Sequence, residues 1–328
     1  MQALCAHGFD GLHQWCLEAM PDPRPGEEDV VVQVEATAIS YVDLLFARGR
    51  YQLQPALPFV PGTEFAGTVI ACGARAAQRL QTGQRVTGTV FGGAWATQVR
   101  APWMAVAPLA ATDDARTACT LPVTYATALY ALRRRGLLQP GETVLVLGAA
   151  GGVGMAAVQV ARALGARVVA AASGAAKCSA ALAMGAEAAV DSTRADWRSE
   201  VQAAAPQGID VVVDPVGGAL TDTAFRTLRW GGRHLVVGFA HGEIPALRAN
   251  LPLLKGAAMV GVDVRQFRER EPDAARDNLA EVADLFSRGL LKPVLAGVYS
   301  ASAWASAMEA AARRETVGRV VIDWSSTA

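Results

Sequence analysis

A glycine-rich turn between a buried strand and a helix constrains this chain more than any other segment. Residues 143–165 read TVLVLGAAGGVGMAAVQVARALG. The run TVLVL is typical of a buried strand, and the apolar residues after the glycines recur at helical spacing. Small residues at such a turn let the backbone approach a pyrophosphate, and free N–H groups at the helix N-terminus attract the anion. The segment predicts a dinucleotide site whose turn residues are Ala150, Gly151, Gly152, Val153 and Gly154.

The turn departs from the G-x-G-x-x-G pattern at one position. Ala149 stands where the first glycine is expected. A glycine-rich turn that only packs a helix against a strand is the alternative interpretation. The order strand, turn, helix and strand favours the dinucleotide site, because the pattern is specific in that context.

Strands and helices alternate on both sides of this turn. Such alternation predicts a parallel sheet with right-handed crossovers. The strand candidates are residues 143–147, 167–171, 188–190, 210–213 and 233–238. The helix candidates are residues 121–132, 154–164, 175–184 and 219–227. Residues 120–262 are therefore predicted to form a doubly wound α/β domain.

The segments before and after this domain follow other patterns. Residues 1–119 are predicted to form a β-rich domain, because short apolar runs alternate with Gly and Pro. Its strand candidates are residues 30–34, 66–72, 85–90 and 95–100. Residues 263–328 contain helix candidates at 278–288 and 301–313 and a strand candidate at 318–323. This tail is too short for its own core, so it is predicted to pack back on the first domain.

Composition excludes several classes of function. The 328 residues contain 30 Lys and Arg and 30 Asp and Glu, so the formal net charge is zero. Nucleic acids and anionic membranes call for excess basic charge, and neither is expected as a partner. Apolar runs are too short to span a bilayer, and no signal peptide is expected. The five scattered cysteines fit reduced thiols, so we expect a cytoplasmic protein.

The residues after the second strand of the α/β domain bear on the cofactor. A site for NAD favours an Asp or Glu about 20 residues beyond the glycine turn, where it binds the ribose 2′-hydroxyl. Here the strand RVVAAA runs into Ser173 and Lys177 without a carboxylate. A hydroxyl and an ammonium group attract a 2′-phosphate, so the sequence favours NADPH. The alternative is that Lys177 is only a solvated helix residue. Arg194 is a further cation that could reach this end.

Short motifs follow one another in a specific order along nearly the whole chain. They are AISYVDLLFARGRY at 38–51, PGTEFAG at 61–67, GQRV at 83–86, TYATALYAL at 124–132, AAGGVG at 149–154, DPVGG at 214–218, GGRHLVVGFAHG at 231–242, NLPLLKG at 250–256 and VGRVVI at 317–322. In this order the chain resembles the zinc-independent medium-chain dehydrogenase/reductases, specifically the NADPH:quinone oxidoreductase group. The resemblance implies a GroES-like catalytic domain, an inserted Rossmann cofactor domain, a nicotinamide cleft between them and a homodimer.

The same resemblance bears on zinc. Zinc-dependent members carry a His directly before the Glu of the PGTEFAG segment, where this chain has Thr63. Their catalytic Cys position falls near Ser40, and Ser is a poor zinc ligand. No two cysteines have the C-x₂-C spacing of a structural zinc lobe. No metal is therefore expected, and Glu64 is interpreted as a structural carboxylate.

The resemblance also points to catalytic candidates. Tyr51 matches a Tyr that lines the substrate pocket in the family, and its phenolic group could donate a proton or a hydrogen bond. Tyr41 is a second candidate, and aromatic packing is the alternative role of both tyrosines. Ser40 stands where quinone reductases often have Asn, and Leu45 stands where they often have Tyr. Both positions therefore depart from the quinone pattern.

Further cofactor contacts are expected at the nicotinamide end. Thr127 matches a family Thr whose hydroxyl could bind the carboxamide. Gly238 and Phe239 follow a strand end, where open α/β sheets bind ligands. Asn250 could bind the cofactor or the substrate, or it could cap a helix at 251–254.

Three functions are compatible with these residues. The first is hydride transfer from NADPH to a quinone, which needs no zinc because the reduced anion is already stabilised. The second is reduction of an enone or enoyl thioester, whose carrier phosphates could bind Arg48 and Arg50. The third is non-catalytic NADPH binding or sensing. We expect the first, with a small-molecule quinone or enone as the partner.

Overall fold

The computed structural model of the protein describes residues 1–51, 54–313 and 316–325. The chain forms two compact units. One unit combines Met1–Val123 with Glu271–Ala328, and the other is Thr124–Arg270. Within the described residues, every helix is too short or too polar to cross a membrane.

The strands are numbered in chain order. They are β1 Gln2–Ala6, β2 Trp15–Ala19, β3 Asp29–Ala38, β4 Glu64–Cys72, β5 Arg85–Thr89, β6 Gln98–Pro102, β7 Val106–Pro108, β8 Thr143–Leu147, β9 Arg167–Ala172, β10 Ala188–Asp191, β11 Ile209–Asp214, β12 Leu228–Val236, β13 Ala258–Gly261, β14 Leu295–Ser300 and β15 Arg319–Asp323.

The α-helices are numbered in the same way. They are α1 Tyr41–Phe46, α2 Ala115–Ala118, α3 Ala126–Leu129, α4 Gly152–Ala163, α5 Ala175–Ala183, α6 Trp197–Ala204, α7 Ala219–Phe225, α8 Asn250–Lys255, α9 Val264–Arg270, α10 Pro272–Ser287 and α11 Trp304–Ala312.

The unit Thr124–Arg270 is built on a six-stranded sheet in the order β10-β9-β8-β11-β12-β13. Every neighbouring pair is parallel, which confirms the doubly wound sheet predicted from the sequence. The chain runs from β8 through β9 to β10 at one edge and then returns to β11 on the other side of β8. The switch point therefore lies between β8 and β11, where open α/β sheets bind their ligands.

Buried apolar side chains stabilise this sheet. All five residues of β8 are buried, as expected for a strand covered on both faces. Leu145 and Leu147 of β8 share a core cluster with Trp197, Phe225 and Leu228. Each such side chain contributes roughly 1.5–3 kcal/mol through burial. The cluster holds the carboxyl ends of β8 and β11 in fixed positions.

The other unit is built on a mixed seven-stranded sheet. Its order is β14-β15-β3-β4-β5-β7, with β6 also paired to β3. β15 pairs antiparallel with β3, with Val321 opposite Ala38. The Trp324 indole N–H donates to Thr37 Oγ1 at 2.9 Å and fixes the end of the tail. The C-terminal segment thus completes the sheet that the N-terminal segment begins.

Several elements differ from the sequence prediction, among them β6 and the helix predicted at 121–132. β6 begins at Gln98 rather than at residue 95, because residues 95–97 bond to β1 instead: the Leu4 N–H donates to Trp95 O at 2.8 Å. The helix predicted at 121–132 reaches Arg135 and is α-helical only in α3. π-helical turns, Leu121–Tyr125 and Tyr130–Arg135, flank α3 on both sides. Such turns are rare and frequently occur at functional sites.

Candidate active site

The turn after β8 has the backbone geometry of a phosphate-binding loop. Gly148 adopts φ 60°, which a residue with a Cβ rarely does. Gly148 therefore makes the tight turn one residue before the position where the pattern expects its first glycine. Ala149 is fully buried, and its N–H donates to Ala171 O of β9 at 3.1 Å. This shift explains why Ala149 is tolerated in the motif.

The glycines that open α4 have different roles. A Cβ on Gly154 would lie 2.1 Å from Gly148 O, so only glycine allows α4 to pack this closely on the turn. Gly151 is exposed at the N-cap of α4, and no side chain caps the helix there. The first-turn N–H groups of an α-helix lack intrahelical partners. Those of Gly152 and Val153 are therefore available to an anion, while Ala150 lies buried beneath them.

Ser173 and Lys177, predicted from sequence to act together, are neighbours in the structure. Lys177 Nζ donates to Ser173 Oγ at 3.1 Å. Ser173 follows the carboxyl end of β9, and Lys177 lies one turn into α5. Gly174 between them adopts φ 84° with open space around its Cβ position. A hydroxyl, an ammonium group and an open turn therefore meet at this strand end.

Asp191 is a residue at this edge that the sequence analysis missed. It ends β10, and its Oδ1 accepts hydrogen bonds from the Gly174 N–H at 3.0 Å and the Thr193 hydroxyl at 2.7 Å. The Gly174 N–H, followed by the Thr193 donors, lowers the pKa of Asp191. The signal was its place at the carboxyl end of a strand beside β9. Arg194 forms ion pairs with Asp196 and Glu200 at 3.1 and 3.2 Å.

Asp214 organises the carboxyl ends of β11 and β12. Its Oδ1 accepts from the Gly217 N–H at 2.8 Å, and its Oδ2 accepts from the Thr221 hydroxyl at 2.6 Å. His234 Nε2 lies 3.0 Å from the same Oδ2 in the buried interior. Burial alone would raise the pKa of Asp214, but these hydrogen bonds, led by that of His234, lower it. The carboxylate thus fixes the DPVGG loop at the sheet edge.

Gly238 and Phe239 lie beside that loop. The Val237 N–H donates to Asp214 O at 2.9 Å, which continues the pairing of the two strands past their ends. A Cβ on Gly217 would lie 2.8 Å from the Phe239 ring, so the ring packs directly on the loop. Phe239 remains more than a third exposed. Its ring is available to a ligand at the carboxyl edge of the sheet.

Thr127 and Asn250 occupy different settings in the same unit. Thr127 is buried on α3, which packs on α4, the helix that follows the glycine turn. Asn250 is exposed and is the first residue of α8, with Ala249 rather than Asn250 at the N-cap. Asn250 therefore does not cap this helix. The far end of α8 is fixed at the start of β12, where Lys255 Nζ donates to Leu228 O at 2.7 Å.

Ser40 lies in a buried hydroxyl and carboxylate network in the other unit. It caps α1 in a reciprocal capping box with Asp43. Ser40 Oγ donates to Asp43 Oδ2 at 2.7 Å and accepts from Thr63 Oγ1 at 3.0 Å. The Gly62 N–H donates to the second oxygen of Asp43 at 3.2 Å. Burial raises the pKa of Asp43 to about 6, although hydrogen bonds from Ser40 and Gly62 oppose the shift.

Glu64 lies next to Thr63 in the chain and is fully buried. Its carboxylate accepts hydrogen bonds from the Arg319 guanidinium and from the Val123 N–H. Burial raises the pKa of Glu64 to about 7, and Arg319 opposes that shift. These contacts give Glu64 the structural surroundings that the sequence analysis expected.

The two candidate tyrosines differ in their surroundings. The Tyr51 ring lies 4.7 Å from Phe46 and 6.0 Å from Phe91, measured between ring centroids. Phe59 also packs on Phe46, at 5.2 Å, so Tyr51 belongs to an aromatic cluster. Tyr41 is the first residue of α1 and is 52% exposed. The cluster is apolar and carries a partly exposed phenol at its edge.

Two family models match the chain. Residues 26–111 match the alcohol dehydrogenase GroES-like domain, and residues 152–288 match the zinc-binding dehydrogenase model. The chain is also 33% identical over 303 residues to quinone oxidoreductase-like protein 2 of Mus musculus. This alignment covers 92% of this chain and 86% of that protein. The chain belongs to the medium-chain dehydrogenase/reductase family. Within the family it falls in the quinone oxidoreductase group.

Other members of this family are similar over comparable lengths. The synaptic vesicle membrane protein VAT-1 homolog of Homo sapiens is 30% identical over 339 residues, covering 98% of this chain and 86% of that protein. A solved mycobacterial quinone oxidoreductase has a TM-score of 0.90 and 26% identity, covering 99% of this chain and 100% of that chain. A mycobacterial protein solved in complex with NADPH has a TM-score of 0.87 and 27% identity, with the same coverage.

Membership in the medium-chain dehydrogenase/reductase family confirms the resemblance drawn from the sequence motifs. It also confirms the α/β class, with a GroES-like domain and a Rossmann-type domain. As a member of this family, the protein is an oxidoreductase.

Proposed function

We propose that this protein transfers hydride from NADPH to a quinone without using zinc. The observation that carries the proposal is the closed network of Thr63, Ser40 and Asp43. In the zinc-dependent members that the motifs resemble, two of these positions hold a His and a Cys. Here both are hydroxyls, and each already donates its proton to a neighbour within 3.0 Å.

The donor set at this position does not fit zinc. Zinc in proteins is bound by thiolate, imidazole and carboxylate groups, and neutral hydroxyls are poor ligands. Asp43 contributes the one carboxylate of this three-residue network, and both of its oxygens already accept hydrogen bonds from Ser40 and Gly62. Although one matched model is described as a zinc-binding dehydrogenase, we propose that the reaction here does not involve zinc.

The unit Thr124–Arg270 fits a dinucleotide. The uncapped N-terminus of α4 would hold the pyrophosphate, and Lys177 with Ser173 would hold a 2′-phosphate. Gly238, Phe239 and Thr127 are the candidates for the nicotinamide end. Bound NADPH would supply the hydride. Support comes from the similar mycobacterial protein that was solved with NADPH.

The preference for NADPH over NADH depends on charge at the end of β9. Lys177 brings one positive charge and Asp191 one negative charge, but Asp191 Oδ1 is occupied by three donors from Gly174 and Thr193. The ammonium group of Lys177 donates to the Ser173 hydroxyl at 3.1 Å, and Lys177 is partly exposed. A bound 2′-phosphate would therefore contact the Lys177 ammonium group rather than the Asp191 carboxylate.

A quinone suits an active site without a Lewis acid. Its carbonyl system is already electrophilic, and delocalisation in the ring stabilises the anion formed by hydride transfer. The protein then has only to orient the acceptor and supply hydrogen bonds. Tyr51 and Phe91, which pack on the buried ring of Phe46, offer an aromatic surface with a phenol on which a flat acceptor could stack. Similarity to a quinone oxidoreductase supports the same acceptor.

Reduction of an enone or enoyl thioester is the second candidate function. Arg48 and Arg50 line an open pocket of about 450 Å³ together with Asp10, Gly11 and Ala47. Two guanidinium groups in one pocket suit the phosphates of a thioester carrier. For this acceptor, Tyr51 would protonate the carbon next to the carbonyl. A mycocerosic acid synthase-like polyketide synthase of Mycobacterium tuberculosis is 32% identical over 316 residues, which are 91% of this chain and 14% of that protein.

The deciding experiment follows NADPH oxidation with an o-quinone and, in parallel, with crotonyl-CoA. Rapid turnover of the quinone alone supports the proposed function. Rapid turnover of the thioester alone replaces it with enoyl reduction. Turnover of neither acceptor, together with tight NADPH binding, would indicate the non-catalytic alternative.

We further propose that the protein is a cytoplasmic homodimer. β13 is an edge strand of the parallel sheet, and its Met259 is 40% exposed. An exposed edge strand can pair with the same strand of a second copy. Sedimentation at micromolar concentration should give twice the chain mass, and a monomer under those conditions would contradict this part of the proposal.

A further inference from the structure

The N-terminal hairpin places four metal-ligating side chains on one face. β1 and β2 pair antiparallel with Cys5 directly opposite Cys16. Side chains two residues apart on a strand share a face, so Glu18 lies on the Cys16 face of β2, and His7, the residue after β1, lies 3.3 Å from Glu18. Leu4 and Leu17, which alternate with them, pack in the core of the unit. The hairpin thus presents the pattern C-x-H at the end of β1 and C-x-E on β2.

Cys5, His7 and Cys16 converge on the Glu18 carboxylate. His7 Nε2 lies 3.3 Å from Glu18 Oε2, and Cys16 Sγ lies 3.9 Å from the same oxygen. Cys5 also donates a hydrogen bond to Glu18, and this contact is the largest influence lowering the pKa of that carboxyl. The ligand atoms of Cys5, His7 and Glu18 all lie within 4.8 Å of one another.

We propose that Cys5, His7, Cys16 and Glu18 form a binding site for a divalent cation of the zinc type. Ligand atoms around tetrahedral zinc, at about 2.0–2.3 Å from the metal, lie roughly 3.3–3.8 Å apart. The separation of 3.3 Å between His7 and Glu18 falls in this range, and that of 3.9 Å between Cys16 and Glu18 lies just above it. The pairs among Cys5, His7 and Glu18 need to contract by about 1 Å at most, and the exposed Cys16 side chain has to rotate further toward Cys5 and His7.

The ligand chemistry selects the metal. Two thiols, an imidazole and a carboxylate suit Zn²⁺, whereas Mg²⁺ and Ca²⁺ prefer sites made only of oxygen. Binding would convert both thiols to thiolates and release two protons to solvent. Burial, followed by the Glu18 hydrogen bond and charge, raises the pKa of Cys5 to about 12 in the metal-free protein. A bound dication removes the rise that Glu18 causes in the pKa of Cys5, because the Glu18 carboxylate then binds the metal.

The site is open to solvent, and none of its four residues has a role in the proposed hydride transfer. Cys16 and His7 are exposed, so an ion can enter without unfolding the hairpin. The absence of C-x₂-C spacing in the sequence does not bear on this site, because its two cysteines come from paired strands. The proposal concerns metal affinity, and its test does not depend on turnover.

The test uses the full-length protein, reduced and stripped with a chelator, and titrated with Co²⁺ and Zn²⁺. We expect one Co²⁺ per chain, thiolate-to-cobalt charge-transfer absorption and its displacement by Zn²⁺. Cys16→Ser, His7→Gln and Glu18→Gln should each weaken Zn²⁺ binding at least roughly tenfold. These residues are wholly or partly exposed, so the variants avoid disturbing buried Cys5.

Cys178→Ser is the matched control. Cys178 is a partly buried thiol in the other unit, and its loss should leave Zn²⁺ affinity unchanged. Absence of the charge-transfer absorption would overturn the proposal, as would equal effects of Cys16→Ser and Cys178→Ser. Quantitative recovery of a Cys5–Cys16 disulfide, with no metal binding after its reduction, would also overturn it.

Discussion

Arg319 of β15 forms a buried ion pair with Glu64 of β4, 255 positions earlier in the chain. The same guanidinium donates to Ile39 O at 2.9 Å. Both side chains are at least nine-tenths buried. The Arg319 guanidinium of the C-terminal segment therefore pairs with the Glu64 carboxylate and hydrogen-bonds the Ile39 carbonyl of the N-terminal segment.

Replacing Arg319 should strongly destabilise the protein. Arg319→Met leaves the Glu64 carboxylate buried without a cation, which costs about 3–5 kcal/mol. We expect a matching fall in unfolding free energy in urea. Arg265→Met, which removes an exposed pair with Glu269, should cost less than about 1 kcal/mol. The double variant with Glu64→Gln should recover part of the loss, and no recovery would argue against charge compensation as the role of Arg319.

Asp43 should make stability depend on pH between about 4 and 6. Burial raises its pKa from 3.8 to about 6. In this range Asp43 is protonated in the folded protein and ionised in the unfolded chain. The contribution of Asp43 to stability therefore falls as the pH rises. The contribution is fully present below pH 4 and lost above pH 6, and its size is up to about 3 kcal/mol.

The difference in unfolding free energy between the wild type and Asp43→Asn reports this effect, together with the small rise in the pKa of Glu64 that the Asp43 charge causes. Asn mimics the protonated side chain, so the wild type should lose stability relative to the variant as the pH rises from 4 to 7. A difference that stays constant with pH would mean that Asp43 is ionised throughout this range. Glu64, with its pKa raised to about 7, changes stability in the same direction in both proteins.

Lys177→Ala should raise the KM for NADPH and leave that for NADH nearly unchanged. A charge-assisted hydrogen bond to phosphate contributes about 1.5–3 kcal/mol, which corresponds to roughly 10–100-fold. Arg167→Ala is the control, because Arg167 lies at the opposite end of β9 in an exposed pair with Glu187. Steady-state kinetics with both cofactors measures the effect. Equal increases in both KM values would refute the phosphate contact.

Local sequence patterns were sufficient to predict the parallel sheet. A buried strand such as β8 is apolar throughout, and the glycine turn after it identifies the switch point. Ser173 and Lys177 were found because both follow the same strand. Their separation along the chain is short, so the secondary structure alone brings them together.

Contacts between distant segments could not be predicted in the same way. Asp191 reaches Gly174 because β10 pairs with β9, and a sequence does not state which strands are neighbours. The network of Ser40 and Thr63 depends on a hydrogen bond across 23 residues. The facing cysteines of the hairpin depend on strand register, which the predicted strands, beginning at residue 30, did not include.

Tyr51→Phe should separate the two candidate acceptors. Phe keeps the ring that packs on Phe46, so the fold should be unaffected. If Tyr51 donates a proton, the kcat for an enone should fall about 10²-fold or more, because its carbon must be protonated. The kcat for a quinone should change less than tenfold, because its reduced anion can take a proton from water. Tyr299→Phe is the control, because Tyr299 lies on β14 and is not a catalytic candidate. Equal losses with both acceptors would assign Tyr51 to packing.

Gly154→Ala should displace α4 from the turn after β8. The added Cβ would lie 2.1 Å from Gly148 O and 2.8 Å from Ala149 Cα, and neither backbone atom can move aside without moving the turn. Overpacking of this kind costs about 1–3 kcal/mol, and the shifted helix would no longer aim its N–H groups at the pyrophosphate. Gly261→Ala is the control, since open space surrounds that position. We expect a lower melting temperature and weaker NADPH binding for Gly154→Ala alone. Unchanged NADPH affinity in a folded Gly154→Ala protein would mean that the N-terminus of α4 does not bind the cofactor.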